Sequence, residues 1–186
     1  MILFINACVR KASRTRELAG YVLGLMSDEV KELRLEDIRF PEVNDGFISR
    51  RNELAATGDF SEPFFGYAKD FAAADTIVIA APFWDLSFPA CLKQYIEQIC
   101  VSGITFTYKD NRPVSLCRAK KLIYVTTSGG PVYSYEYGYG YIKALAESFL
   151  GIEDIGLVSA EGLDIYGADA DSILTEAKNR YKEALC

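Results

Sequence analysis

Arg10, Lys11, Arg14 and Arg16 crowd into seven positions of a chain whose net charge is −6. They lie in the run Asn6-Ala7-Cys8-Val9-Arg10-Lys11-Ala12-Ser13-Arg14-Thr15-Arg16, which leads from an apolar strand pattern straight into a helical one. Free amides at a helix N-terminus, reinforced by the helix dipole, attract an anion; the Ser13 and Thr15 hydroxyls with Arg10 or Arg14 would complete a phosphate cradle. The alternative is that Ser13 only caps the helix and the bases stay in solvent. Against a simple capping box, Arg16 stands where Glu or Gln would, and bases early in a helix oppose its dipole unless an anion offsets them.

Two further loops carry chemistry. In Ala80-Ala81-Pro82-Phe83-Trp84-Asp85-Leu86-Ser87-Phe88-Pro89, Pro82 stops strand pairing, so Phe83 and Trp84 fall just beyond a buried strand. Open α/β sheets bind ligands at that level, and the two rings read as pocket walls rather than filler under the next helix. The run Thr126-Thr127-Ser128-Gly129-Gly130-Pro131-Val132-Tyr133 ends another strand with two glycines, which let a backbone approach a flat ring closely. Tyr133, Tyr135, Tyr137, Tyr139 and Tyr141 then alternate strictly. That spacing fits an extended flap or edge strand with five phenols on one face, and equally a tyrosine-rich turn over the helix that begins near residue 140.

The dinucleotide fingerprint GxGxxG and the phosphate loop GxxxxGK[ST] are both missing, which disfavours a Rossmann-type NAD site and a nucleoside triphosphatase. A monophosphate joined to a large flat ring satisfies both the basic and the aromatic loop, and flavin mononucleotide (FMN) is the economical candidate. The chain has no histidine, which removes Ser-His and Cys-His dyads and histidine-ligated metals. A cofactor is therefore expected to carry the chemistry, without a metal.

These loops need a scaffold. Apolar strand patterns recur at about 2–6, 29–35, 76–81, 121–127 and 153–159, and helical patterns at about 14–26, 64–73, 88–101, 140–150 and 169–184. The alternation predicts an α/β doubly wound, five-stranded parallel sheet of order 2-1-3-4-5 with helices on both faces. The loops after residues 5, 81 and 127 then converge on one crevice. Segment 36–62 is polar and turn-rich, an excursion with a short helix near 47–56.

At 186 residues, one domain spanning 1–186 is expected. Twenty basic against 26 acidic residues argue against nucleic acid and anionic membranes as partners. Cys8, Cys91, Cys100, Cys117 and Cys186 are an odd set without a CxxC pair, which fits a reduced, cytoplasmic setting. The apolar opening Ile2-Leu3-Phe4-Ile5 carries no basic leader, and no run approaches a membrane span. Cys8 reads as a small buried loop residue rather than a reactive thiolate.

Together the loops resemble those of the flavodoxin-like FMN-dependent NAD(P)H:quinone oxidoreductases and azoreductases. The match is carried by Asn6 to Thr15, Ala74 to Trp84, Pro89 to Lys93, Gly103 to Tyr108, Lys120-Lys121, Ser128-Gly129-Gly130 and Phe149 to Ile152. The resemblance implies a homodimer with one FMN at each of two interface sites. NADH or NADPH would reduce the flavin and leave before a quinone or azo compound takes the electrons at the same position. It implies that Arg10, Ser13, Arg14 and Thr15 hold the FMN phosphate, and that Pro82, Phe83, Trp84, Asp85 and Leu86 border the isoalloxazine. Ser128, Gly129, Gly130 and Tyr133 would face the ring's polar edge, with Tyr133 or bulk water as proton source. Many relatives have Asn where Asp85 stands, and a carboxylate beside the ring would lower the flavin's potential. A flavodoxin-like one-electron carrier is the alternative from a different class, and a phosphate-ligand sensor or structural flavodoxin-fold module without turnover a third. The long 36–62 excursion and the tyrosines favour an enclosed small-molecule pocket over a carrier's docking face.

Overall fold

The computed structural model describes residues 1–185. β1 (Ile2–Asn6) is buried along its whole length, as its unbroken apolar run requires of a strand covered on both faces. α1 (Arg14–Gly24) follows, capped by Ser13, whose hydroxyl accepts from the Arg16 amide at 3.2 Å. Leu18, Ala19 and Val22 form its buried stripe. β2 (Val30–Arg34) is an exposed edge strand, and α2 (Asp45–Thr57) occupies the polar excursion where a short helix was expected. Asn44 caps α2 and Gly58 ends it at φ 72°, a left-handed conformation that glycine adopts at no steric cost.

α3 (Gly66–Ala73), β3 (Thr76–Ala80) and α4 (Ala90–Ile99) come next. β4 (Phe106–Lys109) and β5 (Arg112–Ser115) form a separate antiparallel hairpin. β6 (Lys121–Thr127), α5 (Tyr141–Leu145), β7 (Asp154–Ala160) and α6 (Ala170–Glu183) complete the order. The main sheet runs β2-β1-β3-β6-β7, all parallel, which is the expected 2-1-3-4-5 order once the hairpin is set aside. Alternate side chains supply the two cores. Leu3, Ile5, Ile77, Ile79, Leu122 and Tyr124 pack toward α4 and α5, while Ile2, Phe4, Val78, Ile123 and Val125 pack toward α1 and α6.

One feature is absent from the sequence expectation, and one open alternative is decided. The β4–β5 hairpin turns at Asp110 and Asn111, both with positive φ (51° and 60°), as a tight two-residue hairpin turn demands. Polar residues and Pro113 hide its short strands in the sequence. Tyr133–Tyr141 is a turn rather than an extended flap. Residues Glu136–Gly140 form a π-helical turn continuous with α5, closed by the Gly140 amide donating to the Tyr135 carbonyl at 2.8 Å. Gly138 is buried, and because the chain coils in this turn the tyrosines cannot share one face as they would on a strand.

α1 is fastened to the sheet by one buried polar contact. The Thr15 and Thr127 hydroxyl oxygens lie 2.7 Å apart, with Thr15 1% and Thr127 8% exposed. Thr15→Val alone strands the Thr127 hydroxyl and should cost about 1–3 kcal/mol in urea unfolding. The double variant Thr15→Val/Thr127→Val should recover much of that loss, because no buried partner is then orphaned; strictly additive losses would contradict the pairing.

Candidate functional site

The exits of β1, β3 and β6 meet at a cleft of about 240 Å³. Val9 to Thr15, apart from Lys11, line one side, Pro82, Phe83 and Trp84 another, and Thr127, Ser128, Gly129 and Asp164 the third. The four bases of the first loop have separate duties. Arg16 turns back and donates to the carbonyls of Arg10 (3.0 Å) and Lys11, so it folds the loop. Arg10 stands over the Trp84 ring at 5.8 Å. Arg14 donates to the Leu163 carbonyl at 2.9 Å and to the Asp164 carboxylate at 2.6 Å, and Lys11 is exposed. Ser13 satisfies the Arg16 amide, which leaves the first amides of α1, at Arg14 and Thr15, as the open donors of that helix end. The dipole makes the same end favourable to an anion.

Loop one is set from beneath. The Asn6 side-chain oxygen accepts from the Cys8 amide at 3.0 Å while its nitrogen donates to Glu32 at 2.7 Å. Cys8 is buried against the Ala80 carbonyl, and burial pushes its thiol up to about 11. It is a packing residue, as its place in the sequence suggested.

The aromatic loop closes in a two-residue turn. Trp84 and Ser87 exchange backbone hydrogen bonds at 3.1 and 2.8 Å, with Asp85 (φ 50°) and Leu86 (φ 67°) at the tip. Both are left-handed, a conformation that costs an L-residue about 1–2 kcal/mol. Ser87 donates to the Tyr137 carbonyl at 2.6 Å, joining this loop to the tyrosine turn.

The third loop is zipped to the segment after β7. Leu163 donates to Ser128 at 3.1 Å, Asp164 to Gly129 at 2.9 Å and Gly162 to Gly130 at 3.2 Å, all through backbone amides. A Cβ at Gly129 would overlap the Asp164 carboxylate, so a side chain there would displace that carboxylate. Glu161 takes hydrogen bonds from the Val132 amide at 2.8 Å and from the Tyr135 hydroxyl. Burial and the Glu161 carboxylate push the Tyr135 phenol up to about 12. Its ring lies edge-on to Phe83 at 6.1 Å.

A family model described as flavodoxin-like fold matches residues 1–185. The chain belongs to this flavodoxin-like family. An FMN-dependent NADH:quinone oxidoreductase of Clostridium beijerinckii is 38% identical over 163 residues, which are 87% of this chain and 77% of the relative. FMN-dependent NADH:quinone oxidoreductase 2 of Clostridium acetobutylicum is 47% identical over 122 residues, 63% of this chain but only 60% of that relative's length. An azoreductase structure from Bacillus anthracis strain Sterne superimposes with a TM-score of 0.81 at 26% identity, over 98% of this chain and 97% of the other. An FMN-dependent NADH-azoreductase from the Ames Ancestor strain, solved in complex with FMN, gives 0.79 at 25% identity over 98% and 96%.

In this flavodoxin-like chain the cleft brings together Arg10, Ser13, Arg14, Thr15, Pro82, Phe83, Trp84, Ser128 and Gly129. Asp85 and Leu86 lie beyond its lining at the turn tip, and Gly130 is drawn away to accept from Ser128 and Gly162. Tyr133 is 93% exposed and outside the cleft; Tyr135 is the tyrosine turned toward the aromatic wall. The Thr15 hydroxyl is spent on Thr127, leaving its backbone amide as the group it can offer. Sequence reading missed Glu161 and Asp164. Their one local signal was the Glu161-Gly162 pair at the end of the last strand, the level at which the other loops bind.

Leu86→Gly should relieve the left-handed strain and, after the flexibility glycine adds to the unfolded chain, stabilise the protein by roughly 0.5–1 kcal/mol in thermal unfolding. A lower melting temperature would mean that Leu86 makes contacts worth more than its strain. Cys8 also fixes a pH dependence. Its thiol titrates near 9 unfolded and about 11 folded, so its contribution is complete below pH 9 and is lost as pH rises through about 11. Melting temperatures measured from pH 8 to 11 should therefore fall less steeply for Cys8→Ala than for the parent chain.

Proposed function

We propose that this protein is an FMN-dependent NAD(P)H oxidoreductase that reduces quinones or azo compounds by two-electron transfer, within a single FMN-binding domain. The observation that carries the reading is the joining, in one cleft, of an open helix N-terminus, an aromatic wall at Phe83 and Trp84, and a glycine backbone at Gly129. Those three features fit a phosphate, a flat ring and the ring's polar edge respectively. FMN held there would supply the two-electron redox chemistry between NADH or NADPH and a quinone or azo acceptor.

The chain's own residues bind, orient and exclude water. The amides of Arg14 and Thr15, the Ser13 hydroxyl and the guanidiniums of Arg10 and Arg14 would hold the phosphate. Pro82, Phe83 and Trp84 would border the ring, with Asp85 and Leu86 at the rim, and Ser128, Gly129 and Gly130 would meet its polar edge. Hydride transfer requires positioning more than a protein acid or base, which agrees with a cleft that has no histidine. Tyr133 is the proposed tyrosine proton source from sequence, and its exposure would require a partner surface to bring it to the ring.

A homodimer is part of the proposal. The cleft is smaller than a typical ligand pocket and open, and the loops around it present Leu86, Tyr133, Tyr137 and Tyr166 to solvent. Such an aromatic rim suits subunit association that would complete the pocket. Cys8, Cys91, Cys100 and Cys117 are free, which supports a reducing, cytoplasmic setting. Among the described residues no helix is long and apolar enough to cross a membrane.

The test is the visible spectrum of the purified protein with FMN. Anaerobic NADH or NADPH should bleach the flavin bands and a quinone should restore them; bound flavin that neither nucleotide bleaches would favour the carrier or sensor. Trp84→Ala should raise the FMN dissociation constant about tenfold through lost ring contact. An unchanged constant would remove Trp84 from the ring wall.

A further inference from the structure

Asp164 is an acidic residue on the wall of a cleft otherwise furnished for an anion. Three observations hold it there. Its amide donates to the Gly129 carbonyl at 2.9 Å, its carboxylate takes the Arg14 guanidinium at 2.6 Å, and the missing side chain of Gly129 makes the room it occupies. The ion pair is not a stability device. Its side chains are 33% and 63% exposed, and pairs of that kind contribute little to folding. What the pair does change is the field in the cleft. Arg16 is committed to loop carbonyls, so Arg10 and Arg14 are the guanidiniums left at the cleft, and Asp164 neutralises one of them.

We propose that Asp164 is a specificity-determining residue that weakens the cleft's hold on the phosphate of its ligand, keeping FMN exchangeable and disfavouring ligands with more negative charge. The inference rests on the FMN reading above. Arg14 is pre-set for a phosphate, since Asp164 and the Leu163 carbonyl fix its fork and each terminal nitrogen retains a second N–H. The same carboxylate repels the phosphate that Arg14 would receive. For a doubly charged phosphate within a Debye length, partly screened, this repulsion amounts to about a three- to tenfold loss of affinity. Riboflavin carries no phosphate and should not sense it.

The experiment measures dissociation constants of FMN and riboflavin by quenching of flavin fluorescence, for the parent chain, Asp164→Asn and Asp164→Ser. Asp164→Asn keeps an oxygen that can accept from Arg14 and removes the charge alone. Both variants should bind FMN about three- to tenfold tighter, with riboflavin unchanged within about twofold, and the gain should shrink in 0.5 M salt as screening predicts. FMN binding that is unchanged or weaker in Asp164→Asn, beside normal binding by the parent chain, would overturn the proposal and leave the FMN reading standing. Tightening for riboflavin as well as FMN would also overturn it, since the effect would then not be phosphate repulsion. A parent chain that binds neither flavin would overturn the FMN reading itself, and this inference with it.

Discussion

Asn6, Ala80 and Val125 lie side by side across three parallel strands, and that register brings the loops after β1, β3 and β6 to one level. The ladder continues past the strand ends. Ala7 donates to Ala80 at 2.8 Å, Ala81 to Val125 at 3.0 Å, Phe83 to Thr127 at 3.0 Å and Ser128 to Ala160 at 3.0 Å. Each loop is therefore anchored to the neighbouring strand before it departs. Slipping one strand by a residue would reverse its core faces, so burial of Ile5, Ile79 and Tyr124 on one side fixes the level of the cleft. The small residues Ala7, Ala80 and Ala81 are buried at this rim and leave the space above it to larger side chains.

The sheet was legible because its determinants are local. Runs such as Thr76–Ala80 and Lys121–Thr127 announce buried parallel strands, and the helices between them bring capping residues such as Ser13, Asn44 and Asp169. The basic and aromatic loops were legible for a related reason, since open α/β sheets bind at their strand exits. The tyrosine alternation left a flap and a turn equally open because a period of two records spacing alone. Gly138 and Gly140 lie within the same segment, where the Gly140 amide donates to the Tyr135 carbonyl and closes a π-helical turn. Glu161 and Asp164 were hidden by distance along the chain. Arg14 meets Asp164 across 150 positions, a pairing that only the docking of β7 beside β6 creates.

The basic loop illustrates how composition and electrostatics part company. Four cations within seven residues suggest a strongly positive surface, yet Arg16 is folded back on carbonyls of its own loop, Arg10 leans on Trp84, Arg14 is met by Asp164 and Lys11 is exposed outside the cleft lining. What remains for a ligand is a graded site. It offers backbone amides and a dipole at the helix end, one guanidinium over an aromatic ring, and one already balanced. The strained turn at Asp85 and Leu86 belongs to the same economy. Positive φ at two residues with side chains lets the chain reverse directly after Trp84, so the indole stays at the cleft while the tip reaches solvent.

The most direct test of this account is a titration of isotope-labelled protein with FMN, followed through backbone amide resonances. The amides of Ser13 to Thr15, Phe83 to Trp84 and Ser128 to Gly129 should shift together with one dissociation constant, while those of α2 and the β4–β5 hairpin stay fixed. Shifts centred outside the three strand exits, or none at saturating FMN, would contradict the claim that these exits form a flavin site.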